Sequence, residues 1–161
     1  MKSQINYRSY QGFTLIELVM IIIILSILSA IAVPKVTNII EVSRDKATRG
    51  EMTELKKAIM GDPAAIAGGT LIDKGFNGDI GHLPDPFTQL ITQGTLPDWN
   101  RYTQTGWNGP YMSEDGSDEW KKDAWDNDYI VHSYTAGDTS LVSHGPDGAF
   151  GGGDDLILHL K

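Results

Sequence analysis

The side chains with chemistry to offer lie at the two ends of the sequence. Near the C-terminus, residues 147–155 read DGAFGGGDD, so Asp147, Asp154 and Asp155 enclose a backbone with four glycines. Hard cations such as calcium take six to eight oxygen ligands at about 2.3–2.6 Å, many of them carbonyls. Glycines let a loop curl until its carbonyls point inward. The competing reading is a solvated acidic turn. No Glu closes a twelve-residue D-x-D-x-D-G frame, which excludes an EF-hand. Near the N-terminus, Glu17 is the only ionisable side chain in the 21 residues from 13 to 33. A lone carboxylate costs roughly 2.5–3.5 kcal/mol at the centre of a bilayer and less towards its edge. Cutting the chain between Gly12 and Phe13 would create an α-amine at Phe13, and that amine on a neighbouring subunit could pair with Glu17 inside a helix bundle.

The elements that hold these groups can be read from composition and period. Residues 1–12 carry Lys2 and Arg8 and no acid, which favours a cytoplasmic N-terminus. Residues 13–33 are long enough, at ~1.5 Å per residue, to span ~30 Å of hydrocarbon. Pro34 should kink or loosen the helix that follows. Between residues 34 and 61, Val36, Ile40, Ala47, Leu55 and Ala58 recur at helical spacing, with Gly50 and Glu51 interrupting the stripe. Asp45 and Arg49 stand at i,i+4, and Gly61-Asp62-Pro63 is a stop. The expectation is one helix over residues 13–60, its first half covered by membrane or other subunits and its second half packed on a globular head. In the head, residues 62–82 read as loop, Asp85-Pro86 as the start of a short helix, and residues 129–134, 139–143 and 156–160 as strands. The fold class is therefore α+β: a long N-terminal helix packed on a small antiparallel sheet. The segments are 1–12, a leader; 13–33, the membrane and assembly half of the helix; 34–61, its amphipathic half; and 62–161, the head.

Composition excludes several functions. The chain has no cysteine, hence no disulfide and no thiolate metal site. Its net charge is −8, and residues 98–161 hold 12 acidic against 4 basic side chains, a balance that repels phosphate backbones and argues against nucleic acid. His82, His132, His144 and His159 lack HExxH-type spacing, and no G-x-S-x-G, P-loop or dinucleotide motif occurs, so nothing supports an enzyme. Asp126-Asn127-Asp128 reads as a hairpin turn. Trp99, Trp107, Trp120 and Trp125 read as core or rim packing, with an aromatic contact face as the alternative.

Gly12 to Glu17, G-F-T-L-I-E, resembles the prepilin cleavage signal of type IV pilins and type II secretion pseudopilins. The resemblance implies cleavage after Gly12 by a prepilin peptidase, N-methylation of Phe13, and a docking role for Glu17. Two other readings of this terminus are an ordinary secretory signal cut after Ala30-Ile31-Ala32 and an unprocessed signal anchor. Residues 107–111 (WNGPY), 122–129 (KDAWDNDY) and 143–155 (SHGPDGAFGGGDD) resemble the major pseudopilin of type II secretion systems. Ala124 and Asp126 depart from it, since Pro and Gly are usual there, and the segment 60–82 is longer than expected. Gly151 to Leu156 also resembles one RTX calcium repeat, but such repeats work by stacking. The pseudopilin resemblance implies a structural calcium bound by Asp147, Asp154 and Asp155, with backbone carbonyls near Leu141 and Ser143. It also implies a helical filament of identical subunits that drives protein export. The partners would be the peptidase, an inner-membrane assembly platform and minor pilins or pseudopilins. The subunit would be a single-pass inner-membrane protein with a periplasmic head, and afterwards part of a periplasmic or surface filament. A surface fibre for adhesion, motility or DNA uptake is the alternative within the class, and a non-polymerising anchored calcium-binding module is the alternative outside it.

Overall fold

The computed structural model describes residues 12–113, 116–135 and 138–161. The expected leader, with Lys2 and Arg8, lies outside the described residues apart from Gly12. Two compact units divide the chain, Met1–Val42 and Ser43–Lys161. One element, the 46-residue helix α1 (Leu15–Met60), runs through both.

In the first unit, the apolar run is helical from Leu15 onward, two residues later than expected, because Thr14 occupies the N-cap position. The large apolar side chains here are exposed, from Leu15 at 80% to Ile21 and Ile40 at 44%. Ser26 does not disturb the run, since its hydroxyl donates to the Ile22 carbonyl at 2.6 Å. Pro34 lies inside α1. It brings no N–H to the ladder, and Thr37 Oγ1 donates to the Pro34 carbonyl at 3.0 Å just beyond it.

In the second unit, the remainder of α1 lies against a three-stranded antiparallel sheet of order β3-β4-β5 (Ile130–Thr135, Asp138–Ser143, Leu156–His159). The stripe that faces the core is Thr48, Met52, Leu55 and Ile59, with Ala58 beside it. Ala47, from the expected stripe, is exposed, as are Val36 and Ile40. The true stripe follows the 4-3-4 spacing that returns to one face of a 3.6-residue helix. It meets Phe76, Leu90, Tyr129, Leu141, Leu156 and Leu160 in a single core. Each nearly fully buried aliphatic side chain contributes about 1.5–3 kcal/mol. Polar ties fix the register of helix on sheet. The Ala124 N–H donates to Thr48 Oγ1 at 3.2 Å, Tyr129 Oη donates to Glu51 Oε2 at 2.7 Å, and Lys56 Nζ donates to the His159 carbonyl at 2.6 Å. Glu51 therefore interrupts the apolar stripe because it is the acceptor for a core tyrosine.

Residues 62–82 are more structured than their composition suggests. They form a two-stranded antiparallel hairpin, β1 (Ile66–Ala67) with β2 (Thr70–Leu71), and a short helix α2 (Gly75–Ile80). Two glycines make α2 possible. Gly61 ends α1 at φ +86°, and a β-carbon there would stand 2.7 Å from the Lys74 carbonyl carbon; one on Gly75 would stand 2.8 Å from the Ile59 carbonyl oxygen. The end of α1 and the start of α2 thus cross where neither has a side chain, and Phe76 enters the core with no exposed surface. The short helix after Asp85-Pro86 is a 3-10 turn, Phe87–Leu90, and Asp85 does not cap it. The Asp85 N–H instead donates to Gln89 Oε1 at 3.0 Å.

Candidate functional site

At the N-terminal junction, Gly12, Phe13 and Thr14 precede the helix as irregular chain. Thr14 and Glu17 form a reciprocal pair: Thr14 N and Oγ1 both donate to Glu17 Oε2, at 2.8 and 2.7 Å, and Glu17 N donates to Thr14 Oγ1 at 3.3 Å. This is a capping box, which satisfies donors that the first helical turn leaves open. The T-x-x-E spacing ahead of an apolar run carried that signal in the sequence, and the reading above missed it. Glu17 is therefore engaged by its own helix end. The helix beyond contains a window long and apolar enough to cross a membrane, none of it buried in the chain.

The C-terminal loop is built on β4. Residues Gly145–Asp147 make a 3-10 turn with Gly145 at φ +64°, and the chain then circles to β5. Register sets Ser143 directly across from Leu156, so the backbone at Ser143 adjoins Asp155. Leu141 and Ser143 are both fully buried. The Asp147 N–H donates to Asp154 Oδ2 at 3.2 Å, the Ala149 N–H to Asp147 Oδ1 at 2.8 Å, and the Gly151 N–H to Asp155 Oδ2 at 2.7 Å. Asp147 Oδ2 and Asp154 Oδ1 both press on Gly152, where any β-carbon would collide with them. Asp155 Oδ1 is buried and has no hydrogen-bond partner. Among the described residues, no three acidic, His or Cys side chains converge as a metal centre. The structure brings Asp147 and Asp154 together and leaves Asp155 one step aside. The chemistry of the set is nonetheless that of a hard cation: carboxylate oxygens, one of them orphaned, on a glycine backbone rich in carbonyls.

Asp123 helps position this loop and was not singled out from sequence, while Asn127 was read only as part of a hairpin turn. Asp123, 5% exposed, accepts from the Trp125 and Asn127 N–H groups at 2.9 Å each and from Ser143 Oγ at 2.6 Å. Asn127 Nδ2 donates to the Gly145 carbonyl at 2.7 Å. The K-D-A-W-D-N turn is thereby bolted to the start of the acidic loop. At the loop's tip, Phe150 stacks on His132 at 4.9 Å and meets His144 edge-on at 6.2 Å. Asp126, where the resembled family usually has Gly, adopts φ +73°, a left-handed conformation that Asp tolerates better than most residues.

The W-N-G-P-Y segment forms a second, half-buried polar cluster around the buried Asp79. Tyr111 Oη donates to Asp79 Oδ2 at 3.0 Å and accepts from the Asn108 N–H at 3.0 Å, while Trp107 Nε1 donates to the Gln89 carbonyl at 2.8 Å. Burial pushes the Tyr111 phenol up to about 12 and raises the Asp79 carboxyl above its ordinary value. Trp107, Trp120 and Trp125 pack partly buried against the core. Ser140, His159 and Asp138 lie together, but Ser140 Oγ and Asp138 Oδ1 both address His159 Nδ1, at 2.9 and 3.2 Å, and Ser140 is fully buried. A nucleophilic triad needs the serine on the other ring nitrogen and open to substrate.

The comparisons with known proteins bear on both ends. The family described as Prokaryotic N-terminal methylation motif matches residues 7–33. The family described as Type II secretion system (T2SS), protein G matches residues 74–158, more than half of the chain. No curated protein and no solved structure matches the chain.

Proposed function

For a chain that belongs to the type II secretion system protein G family, and is thus a type IV pilin-like pseudopilin, a structural subunit and not an enzyme, we propose the following working cycle. The precursor sits in the inner membrane by its apolar helix, leader inside and head in the periplasm. A prepilin peptidase cuts after Gly12, and Phe13 is N-methylated. Subunits then enter a helical filament at an assembly platform, together with minor pseudopilins, and growth of the filament pushes exported proteins outward. The observation that carries this reading is the union, on one chain, of the methylation motif, an apolar helix left exposed among the described residues, and a protein G head.

Glu17 couples processing to assembly in this account. Before cleavage its carboxylate is held by the Thr14 capping box. Cleavage creates a charged amine at Phe13, and a neighbour's amine then offers Glu17 a stronger, charge-assisted partner. In the head, calcium is the proposed cofactor, held by Asp147 and Asp154 with Asp155 and backbone carbonyls near Leu141 and Ser143. The ion would relieve the mutual repulsion of the clustered carboxylates. It would also pin the long C-terminal loop in a domain that has no cysteine.

Deleting the chain from its host tests the export role. Loss of protein release across the outer membrane, with surface fibres unchanged, is expected. The opposite pattern would assign the subunit to a surface pilus. N-terminal sequencing of the mature chain separates the processing alternatives, with Phe13 expected, Val33 for an ordinary secretory signal and Met1 for an unprocessed anchor.

A further inference from the structure

Among the described residues, the β1–β2 hairpin pairs with no further strand. Its register sets Ile66 opposite Leu71 on one face, and Ile72 follows directly after β2. These side chains are 61%, 41% and 66% exposed. A two-stranded ribbon with both faces in water is marginal by itself, and its free edges are open to another chain. Grouped exposed aliphatic side chains rimmed by polar ones mark interaction sites. The hairpin also lies outside the 74–158 segment matched by the protein G family.

Beside it lies a cleft of about 440 Å³ reaching from α1 to Ile72 and Tyr111. Its walls carry Glu54, Asp62, Asp73 and Asp79 against Lys57 and Lys74. Both lysines are already engaged, Lys57 by Glu54 and Lys74 by Gln104, each at 3.0 Å. With four acids against two lysines, the surface as a whole offers aliphatic contact and an excess of negative charge. A segment of the same chain has the complementary character. Residues 35–49 of α1 hold Lys35, Arg44, Lys46 and Arg49 against Glu41 and Asp45, in a protein of net charge −8. Between them Val36, Ile39, Ile40 and Val42 are 44–68% exposed. Because the two surfaces differ, a contact between them is head-to-tail, the kind that repeats from copy to copy into a filament when it does not close into a ring.

We propose that the β1–β2 hairpin and its acidic cleft are the docking surface for residues 35–49 of α1 in a second copy of this chain. The proposal rests on the filament reading above and names which face of the head receives which part of the neighbour. The absence of cysteine makes a covalent test clean. Ile72→Cys is combined in turn with Val36→Cys, Ile39→Cys or Val42→Cys in the full chain, and assembled filaments are oxidised. At least one pair should yield a ladder of disulfide-linked multimers, and each single variant none. The triple variant Ile66→Ser/Leu71→Ser/Ile72→Ser should be processed normally and melt like the parent, yet assemble about tenfold less or worse. Filaments that form with no ladder from any pair would overturn this contact and leave the filament reading standing. Dimers from Ile72→Cys alone, or a cross-link to a different protein, would overturn it in favour of another occupant. So would wild-type assembly by the triple variant. If the unmodified chain never polymerises, the filament reading fails and the contact fails with it.

Discussion

Replacing Asp123 by alanine should cost the head a large part of its stability, and the size of the loss follows from its surroundings. The side chain accepts three hydrogen bonds, from the Trp125 and Asn127 amides and from Ser143 Oγ, and the residue is only 5% exposed. Removing the acceptor strands three donors where water reaches poorly, at about 1–3 kcal/mol each before relaxation. The Ser143 hydroxyl can rotate and a water can enter the space left, so the net loss should be ~3–4 kcal/mol, at the upper end for a single substitution. For a head of this size that corresponds to a fall of roughly 10 °C or more in the melting midpoint. The assay is a thermal melt of the full chain in detergent micelles, followed by tryptophan fluorescence, with Trp125 reporting from the turn itself. Asp123→Asn keeps one oxygen acceptor and should lose about 1 kcal/mol. Asp118→Ala removes a largely exposed partner of Lys121 and should change stability by ~0.5 kcal/mol or less. Combining Asp123→Ala with Ser143→Ala should be non-additive by ~1 kcal/mol, since both act on one bond. A midpoint for Asp123→Ala within about 3 °C of the parent would refute the reasoning, because the turn would then not depend on its buried acceptor.

Calcium at one hundred times its dissociation constant should stabilise the chain by ~2.7 kcal/mol, and a chelator should remove that gain. Asp154→Ala should abolish the response, and an unchanged midpoint on chelation in the parent would exclude the site. Alkali should unfold the head early. Tyr111 is raised to about 12 in the fold, so the folded state holds a proton that the unfolded chain releases near pH 10. That contribution is intact below pH ~10 and is lost as pH climbs towards 12, and Tyr129, raised in the same direction, adds to it. Tyr111→Phe should flatten its part of the alkaline limb in a pH titration of the melting midpoint. Asp79 is raised by burial, so the folded state binds the extra proton and stability falls as pH rises through its folded value. Asp79→Asn should therefore gain relative to the parent as pH rises above the ordinary carboxyl range, and an unchanged difference would count against a buried carboxylate there. Lys56→Ala should release the β5 end, which it holds through the His159 and Lys161 carbonyls at 2.6 and 3.2 Å. The expected cost is about 0.5–1.5 kcal/mol, with faster amide exchange confined to β5.

The elements that were legible in the sequence are those whose period or punctuation is strong. The long helix showed in an apolar run followed by helical spacing and closed by Gly61-Asp62-Pro63, and the three strands of the sheet showed as β-branched and aromatic runs. What escaped depended on contacts distant in sequence. The segment 62–82 is rich in glycine and has no period, yet Gly61 and Gly75 allow α1 and α2 to cross at backbone distance, and this carries Phe76 into the core. The stripe on α1 was read as starting at Val36, whereas the core begins at Thr48, and only the position of the head decides where burial starts. At the acidic loop, the three aspartates were legible from composition. The positioning roles of Asp123 and of Asn127, which was read only as part of a turn, were not, because their partners Ser143 and Gly145 lie 20 and 18 residues away. The Thr14–Glu17 capping box was local and readable, because its T-x-x-E spacing stands directly ahead of the apolar run.

The central claim is that the junction at Gly12 and Phe13 and the carboxylate of Glu17 act together, so that processing enables assembly. The most direct measurement compares the parent and Glu17→Ala, each expressed as the full chain with its peptidase and assembly platform, by N-terminal sequencing of the mature protein and by imaging of filaments. Both chains should begin at Phe13, and only the parent should form filaments. Filaments from Glu17→Ala as abundant as those of the parent would contradict the account.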